Sequence, residues 1–388
     1  MQIFSGEAAA VDGCSRPALQ PVATPDVQFS ETAALPNHFD LTLSQPDAHT
    51  PQFAAFDRWL MLEAAGHGLS CGLIHDGNIA EVIERIAAGQ MTVGYHLDYY
   101  ALWHRPDDPY ARLAQVIEDT GGRSVNSPAR ARAFTDKATA VITLRQHCLG
   151  VPGTVIFRPC ASIRPLTLAE RNRVGLTSPG SYAYLKPANG FAGQGVVRVA
   201  GTDEALSAAL SAARRLEPDE TFLLQREVTP PLLVCEDGIA RPAYWRVLYQ
   251  SGEVMPFWWA HQDQVGPAPS YRPLAPAELR RHRLEAVLAY VRELAELTGM
   301  EWFSTELCLG DGTDPSRHTV TTSEGRQRPV LAIDPVNDQC DVDVQSRWPG
   351  AAPDESVRRI AARFAERAWH LRQRALRPEM LTLYRIAA

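Results

Sequence analysis

The sequence contains no run of apolar residues approaching the roughly 18 that a bilayer-spanning helix needs, so no membrane span is expected. Its opening stretch has neither the basic start nor the continuous apolar core of a secretory leader, and a cytoplasmic location follows as the expectation. Cysteine is sparse: seven residues are scattered from Cys14 to Cys340, and none forms a CxxC pair. Neither a zinc cluster nor a disulfide framework is signalled. Basic residues are not in excess either, with 38 Lys and Arg against 45 Asp and Glu, a net charge of −7. The chain therefore lacks the overall cationic field on which non-specific nucleic-acid binding relies. The helix-opening GK[ST] phosphate loop is missing as well.

What is present suits a large globular protein. Hydrophobic residues make up 45% and charged residues 21% of 388, enough for a sizeable core. At about 100–200 residues per domain the length suggests two or three domains. Residues 1–35, rich in Ala, Pro, Ser and Thr without a period, read as a loosely ordered arm. A βα rhythm then begins: strands are expected at 38–43, 69–74 and 91–97, and helices at 53–66, 79–89 and 110–122. Such alternation implies a parallel α/β sheet whose ligands lie beyond the carboxyl ends of its strands. Ser44-Gln45, His75-Asp76-Gly77 and His96-Leu97-Asp98-Tyr99 occupy those ends. His96 and Asp98 are substrate-side candidates there, with a purely structural role as the alternative.

The texture changes near Asn126. A helix is expected over 128–149, then strands at 182–187 and 196–200 and a helix over 202–216 with Thr202 as N-cap. Strands follow at 221–228, 243–250 and 253–261, the last two joined at Ser251-Gly252 as a hairpin. A long helix spans 276–299, strands at 301–309 and 328–336 bracket a polar loop, and an arginine-rich amphipathic helix closes at 355–376. That last helix reads as a solvated or packed face. The most informative segment is Tyr184-Leu-Lys186-Pro-Ala-Asn189-Gly190-Phe-Ala-Gly193-Gln-Gly195. A lysine ending one strand, three glycines and a second strand make a phosphate clamp: glycines let backbone N–H groups close on anionic oxygens while the ammonium supplies a point charge. Taken alone, the segment is equally an ordinary glycine-rich hairpin.

Its context goes further. Asn126-Ser-Pro, Asp136-Lys137 and Gly150-Val-Pro-Gly-Thr154 precede it in order, and this succession resembles the ATP-grasp superfamily, whose "N-x-P … DK … GIPxP" stretch leads to a second lysine and its glycine loop. The resemblance, carried by residues 126–345, implies a Rossmann-like α/β domain at 36–125 before a two-part grasp at 126–228 and 229–388, in a chain mixing α/β and α+β architecture. It implies ATP and Mg²⁺ (or Mn²⁺) as cofactors, with Lys137 and Lys186 on the nucleotide and Gly190, Gly193 and Gly195 over the phosphates. Backbone at Gln225, Arg226 and Val228 would meet adenine, and Glu227 the ribose. Glu306, Asp334 and Asn337 would hold the metal through hard oxygen ligands. Arg246, in Tyr244-Trp-Arg-Val-Leu, matches the arginine of the family's "D-x-R-V" strand and would act at the γ-phosphate together with Lys186. Arg241 and Arg272 are further substrate-side candidates.

Two departures stand out. Asp334-x-x-Asn337 replaces the usual Glu-x-Asn, which leaves Asn337 and Asp338 both as candidate ligands, and Tyr244 stands where the family has aspartate. The implied activity is an ADP-forming ligase: a small-molecule or peptide carboxylate becomes an acyl phosphate and is joined to an amine. A phosphotransferase to a hydroxyl and a non-catalytic ATP-binding protein are the alternatives. No nucleic-acid or membrane partner is expected, and a homodimer is compatible with the sequence.

Overall fold

Strand β1 (His38–Ser44) is buried along nearly its whole length, as a central strand covered on both faces must be. Helix α1 (Thr50–Gly66) leads to β2 (Cys71–Ile74), α2 (Ile79–Ala87) to β3 (Thr92–Leu97), and α3 (Pro109–Asp119) to β4 (Arg123–Val125). These form a four-stranded parallel sheet in the order β2-β1-β3-β4. Local chemistry sets the boundaries. Asp108 caps α3 by accepting from the Tyr110 and Ala111 N–H groups at 3.0 Å, with Pro109 in the first helical position. The computed structural model describes residues 35–46, 50–159, 161–190, 193–259, 271–338, 340, 342–347 and 350–376. The expected N-terminal arm lies outside the described residues except for Leu35, and the chain from Pro36 onward forms one compact unit.

The expected helix over 128–149 is two helices, α4 (Pro128–Thr135) and α5 (Lys137–Gln146). Asp136 breaks them because its extended backbone and side chain cap α5, accepting from Thr139 N–H at 2.6 Å. Next come β5 (Thr154–Phe157), α6 (Leu168–Arg173), β6 (Tyr182–Pro187), β7 (Val197–Ala200), α7 (Asp203–Leu216) and β8 (Phe222–Arg226). Their strands make an antiparallel sheet ordered β5-β8-β6-β7. Thr202 caps α7, as its position suggested.

A short hairpin of β9 (Leu232–Val234) and β10 (Ala240–Pro242) precedes β11 (Tyr244–Gln250) and β12 (Glu253–Trp259). The turn between β11 and β12 places Ser251 at φ 45° and Gly252 at φ 98°, the left-handed conformations a tight hairpin requires. After β13 (Tyr271–Pro273) the single helix expected at 276–299 is divided into α8 (Pro276–His282) and α9 (Glu285–Thr298). Arg283 adopts φ 55° there, and the fully buried Leu284 starts the second segment. Strands β14 (Trp302–Leu309) and β16 (Gln327–Asn337) enclose the polar loop, which itself contains a short strand, β15 (Thr319–Thr321). The resulting antiparallel sheet runs β13-β12-β11-β14-β16-β15. Helix α10 (Asp354–Ala375) ends the described chain.

Both faces of the six-stranded sheet are covered. Trp245, Val247, Phe303 and Leu307 pack with Tyr290 and Leu294 of α9 and with Val141 and Leu144 of α5. On the other face Leu248, Phe257 and Trp302 join Phe56 of α1, Leu41 and Leu43 of β1, and Ile360 and Phe364 of α10. Sequence order groups α10 with β14 and β16, but in the structure it also packs against α1 and the N-terminal sheet. Several of its arginines are paired: Arg363 meets Glu253 at 2.5 Å, Arg367 meets Glu301 at 3.4 Å and Arg372 meets Asp40 at 3.4 Å. No helix among the described residues is long and apolar enough to cross a membrane.

Candidate active site

Along β11 the face that buries Leu248 against α10 becomes charged further back, at Arg246 and Tyr244. The same change occurs on β14, from Trp302 to Glu306, because register places Arg246 directly opposite Glu306. Glu306 is in turn opposite Asp334 of β16, and a register shift follows that pairs Asn337 with Ser304. Two carboxylates and an arginine thus line up across three adjacent strands.

The lysines reach this row from β6 of the other sheet and from α5. Lys186, at the end of β6 and 7% exposed, donates to Gln225 Oε1 at 2.9 Å and to the Ile333 carbonyl of β16 at 2.8 Å. Lys137, at the first position of α5, donates from Nζ to the Gly190 carbonyl at 2.5 Å and lies 3.7 Å from Asp334 Oδ1. In the loop after β6, Gly193 and Gly195 adopt φ 73° and 71°, backbone conformations that side-chain-bearing residues would strain to provide. Asn337, Asp338, Lys137, Gly190, Trp103 and His104 line a cavity beside this group.

Electrostatics follow from this crowding. Burial pushes the Lys186 ammonium down to about 8, with Lys137 adding to the shift while Asp334 and Glu306 oppose it. Burial works against ionisation of Glu306, yet Arg246, the Tyr244 hydroxyl and Lys186 hold it below the usual carboxylate range. Tyr244 Oη donates to Glu306 Oε2 at 2.5 Å, and Arg246 donates through Nη2 to Oε1. Arg246 also donates through Nη1 to Tyr271 Oη at 2.7 Å and lies over the Trp259 ring, 4.7 Å from its centroid. Asp334 Oδ1 is buried without a hydrogen-bond partner.

The remaining candidates are placed as follows. Glu227 accepts from Arg198 Nε at 2.8 Å and from Tyr184 Oη at 3.2 Å. The Arg226 side chain turns away to Asp311, at 2.6 Å, and Asp314, at 3.4 Å. His96 is buried within the N-terminal sheet, 2.9 Å from Thr42 Oγ1, and burial lowers it to about 3, so its ring is neutral. Asp98 Oδ1 accepts from Ser44 Oγ and from the Tyr100 and Ala101 N–H groups, fixing the loop that carries Trp103. Asp338 accepts from Trp103 Nε1 at 2.5 Å and is pushed up to about 7 by burial, with Asp98 contributing. Arg241 and Arg272 form a separate ion cluster with Asp237 and the buried Glu278, which also accepts from Trp258. Trp258 belongs to the α9 side of the sheet, so this cluster faces away from Arg246.

Sequence reasoning missed Tyr271 and Trp259, which enclose Arg246, and Arg198, which pairs with Glu227. Only strand register brings these side chains together. The donor set suits a hard cation: two carboxylates and an amide on neighbouring strands, one carboxylate oxygen lacking a donor, and no thiolate or imidazole. Among the described residues no group of three His, Cys, Asp or Glu side chains is clustered for a metal, so phosphate oxygens would have to complete any coordination shell.

A parallel α/β sheet followed by two antiparallel sheets that bring two lysines and a glycine loop against a carboxylate-bearing strand pair is the ATP-grasp fold. The chain is similar over 84% of its length to a RimK domain ATP-grasp protein from Sphaerobacter thermophilus, covering 98% of that chain at 18% identity with a TM-score of 0.52. It is similar over 85% of its length to a D-alanine–D-alanine ligase from Bacillus anthracis, covering 98% of that chain at 12% identity and TM-score 0.52, and equally to the same ligase complexed with ATP. The D-cycloserine synthetase DcsG gives 15% identity and TM-score 0.53, with 84% of this chain and 99% of that one covered. No protein-family model and no curated protein matches the sequence.

Proposed function

We propose that the protein is an ATP-dependent carboxylate–amine ligase. The observation that carries this reading is the convergence of Lys137, Lys186, Arg246, Glu306 and Asp334, drawn from both antiparallel sheets and α5, beside the glycine loop. The names of the similar structures, two ligases or synthetases among them and one complexed with ATP, support it.

In this reading ATP lies between the sheets, its adenine against backbone at Gln225, Arg226 and Val228. Glu227 turns from Arg198 to the ribose. Lys137 and Lys186 neutralise phosphate oxygens, and the loop through Gly190, Gly193 and Gly195 closes over them to exclude water. A substrate carboxylate, entering by the cavity lined by Trp103, His104 and Asn337, attacks the γ-phosphorus. A C–O–P linkage forms and the bond to ADP breaks. Arg246 and Lys186 stabilise the charge on the transferring phosphoryl group. An amine then attacks the acyl carbon, inorganic phosphate leaves, and the amine proton passes to solvent. Asp334, Asn337 and Glu306 would hold Mg²⁺ or Mn²⁺, which supplies charge neutralisation at the phosphates. We further propose the division at 36–125, 126–228 and 229–388, small-molecule or peptide substrates, and a cytoplasmic location.

The test is a screen of carboxylic acid and amine pairs, read by ADP release and product mass. ADP release that needs both partners and yields their condensed mass supports the ligase. A phosphorylated product without an amine would replace it with a phosphotransferase, and ATP binding without turnover across the screen would replace it with a binding protein.

The pH dependence of nucleotide binding gives a second test. Lys186 titrates near 8 and must be protonated to attract phosphate. ATP affinity is expected to be full well below pH 8 and to decline as pH rises through 8, whereas Lys186→Arg, which stays protonated, should flatten the profile. Calorimetric titration across pH 7 to 9, with both proteins in matched buffers, measures the difference.

A further inference from the structure

Glu306 has two claimants. Both of its oxygens are engaged from β11, Oε2 by Tyr244 and Oε1 by Arg246. Yet the same carboxylate stands in register with Asp334, whose Oδ1 has no hydrogen-bond partner. Arg246 is equally committed. Nη2 goes to Glu306 and Nη1 to Tyr271, Nε is buried without a partner, and the guanidinium plane lies over Trp259. Two of its five N–H donors are taken, Nε is buried, and neither edge keeps both of its donors open for a bidentate contact with a phosphoryl oxygen. The contact with Glu306 must therefore open before Arg246 can grip phosphate through two donors of one edge.

We infer that Glu306 is a capping carboxylate for Arg246, and that metal loading draws it away from the arginine, so that Arg246 becomes available to phosphate only when the metal is in place. The inference rests on the nucleotide site proposed above and deepens it. Tyr244 is the pivot: its hydroxyl holds one carboxylate oxygen while the other exchanges between Arg246 and a cation. Tyr249 and Phe303, and Trp245 and Trp258, anchor β11 to its neighbours on the opposite face, so the strands need not move. A rotation of one side chain suffices. Asp334 is held less tightly, since Lys137 lies 3.7 Å from its Oδ1, beyond hydrogen-bond distance, and it acts as the ligand that is ready in advance. The two carboxylates thus have different work, although the sequence pattern presents them as equals. Metal and phosphate binding then become thermodynamically linked through Arg246, each raising affinity for the other.

Three variants distinguish this from a simple change of charge. Glu306→Gln removes the cap and one negative charge. Glu306→Asp keeps the charge but withdraws the carboxylate by one methylene. Asp334→Asn removes the same charge without touching Arg246. ATP binding is measured by calorimetry in EDTA, and Mn²⁺ binding by electron paramagnetic resonance. Glu306→Gln and Glu306→Asp are each expected to bind metal-free ATP about tenfold tighter than wild type, with Asp334→Asn within about threefold. Both Glu306 variants should also lose most of the enhancement that Mn²⁺ gives to ATP binding in the wild type. Equal gains in Glu306→Gln and Asp334→Asn, with none in Glu306→Asp, would overturn the inference in favour of a uniform electrostatic effect. Unchanged metal-free affinity in both Glu306 variants would overturn it as well. If wild type binds ATP neither with nor without Mn²⁺, the nucleotide site itself fails and the inference with it.

Discussion

Lys186→Ala is expected to lower ATP-dependent turnover by about 10²–10³-fold, the usual consequence of removing one preorganised donor from a developing anion in a desolvated site. The magnitude follows from where the side chain lies. Lys186 is 7% exposed, and its ammonium bridges Gln225 of β8 and the Ile333 carbonyl of β16. Removing it takes away a charge that water cannot replace at that depth and leaves Gln225 Oε1 and a strand carbonyl without their donor. Lys186→Arg should recover part of the rate, because charge is restored but the compact three-donor ammonium is not. Steady-state ADP release for the three proteins, with folding checked by circular dichroism, measures the effect. Full activity in Lys186→Ala would remove the lysine from the reaction and the site assignment with it.

The second large effect concerns stability. Phe364 of α10 is 1% exposed and makes edge-to-face contacts with Trp302 of β14, centroids 5.4 Å apart, and with Phe56 of α1, 6.4 Å apart. It is one of the α10 side chains, with Ile360, through which the closing helix joins the six-stranded sheet to the N-terminal one. Phe364→Ala should destabilise the protein by about 3–5 kcal/mol, from lost transfer free energy and the cavity left in a close-packed interior. Leu216→Ala, at a position 85% exposed, should stay within about 0.5 kcal/mol of wild type. Urea unfolding followed by tryptophan fluorescence compares the midpoints. A Phe364→Ala midpoint matching that of Leu216→Ala would mean that α10 is not part of the core.

Local features were legible in the sequence wherever a local cause sets them. Thr202 capping α7, Ser251-Gly252 turning β11 into β12, and Lys186 ending a strand before three glycines depend on residues a few positions apart. Breaks inside helices were harder to read. Asp136 and Arg283 interrupt segments whose apolar spacing continues across the break, because capping and the burial of Leu284 outweigh the periodicity. The short strand Thr319–Thr321 escaped notice in a polar loop, since its pairing with β16 supplies what its composition does not.

By itself the sequence determined the order of most elements, the N-terminal parallel sheet and the hairpin at Ser251-Gly252, and it singled out lysines, glycines and acids as candidates for a nucleotide site. Only the tertiary structure decided which of them meet. Arg246 and Glu306 are 60 positions apart, and Lys186 and Ile333 are 147 apart; both contacts arise from strand register and the packing of one sheet on another. The same register made Glu306 a partner of Arg246 and Tyr244, left Asp334 Oδ1 without a donor, and sent Arg241 and Arg272 to another face. Periodicity and capping are set by neighbours along the chain, whereas the pairing of buried charges is set by the hydrogen-bond ladder between distant strands, which no short stretch of residues encodes.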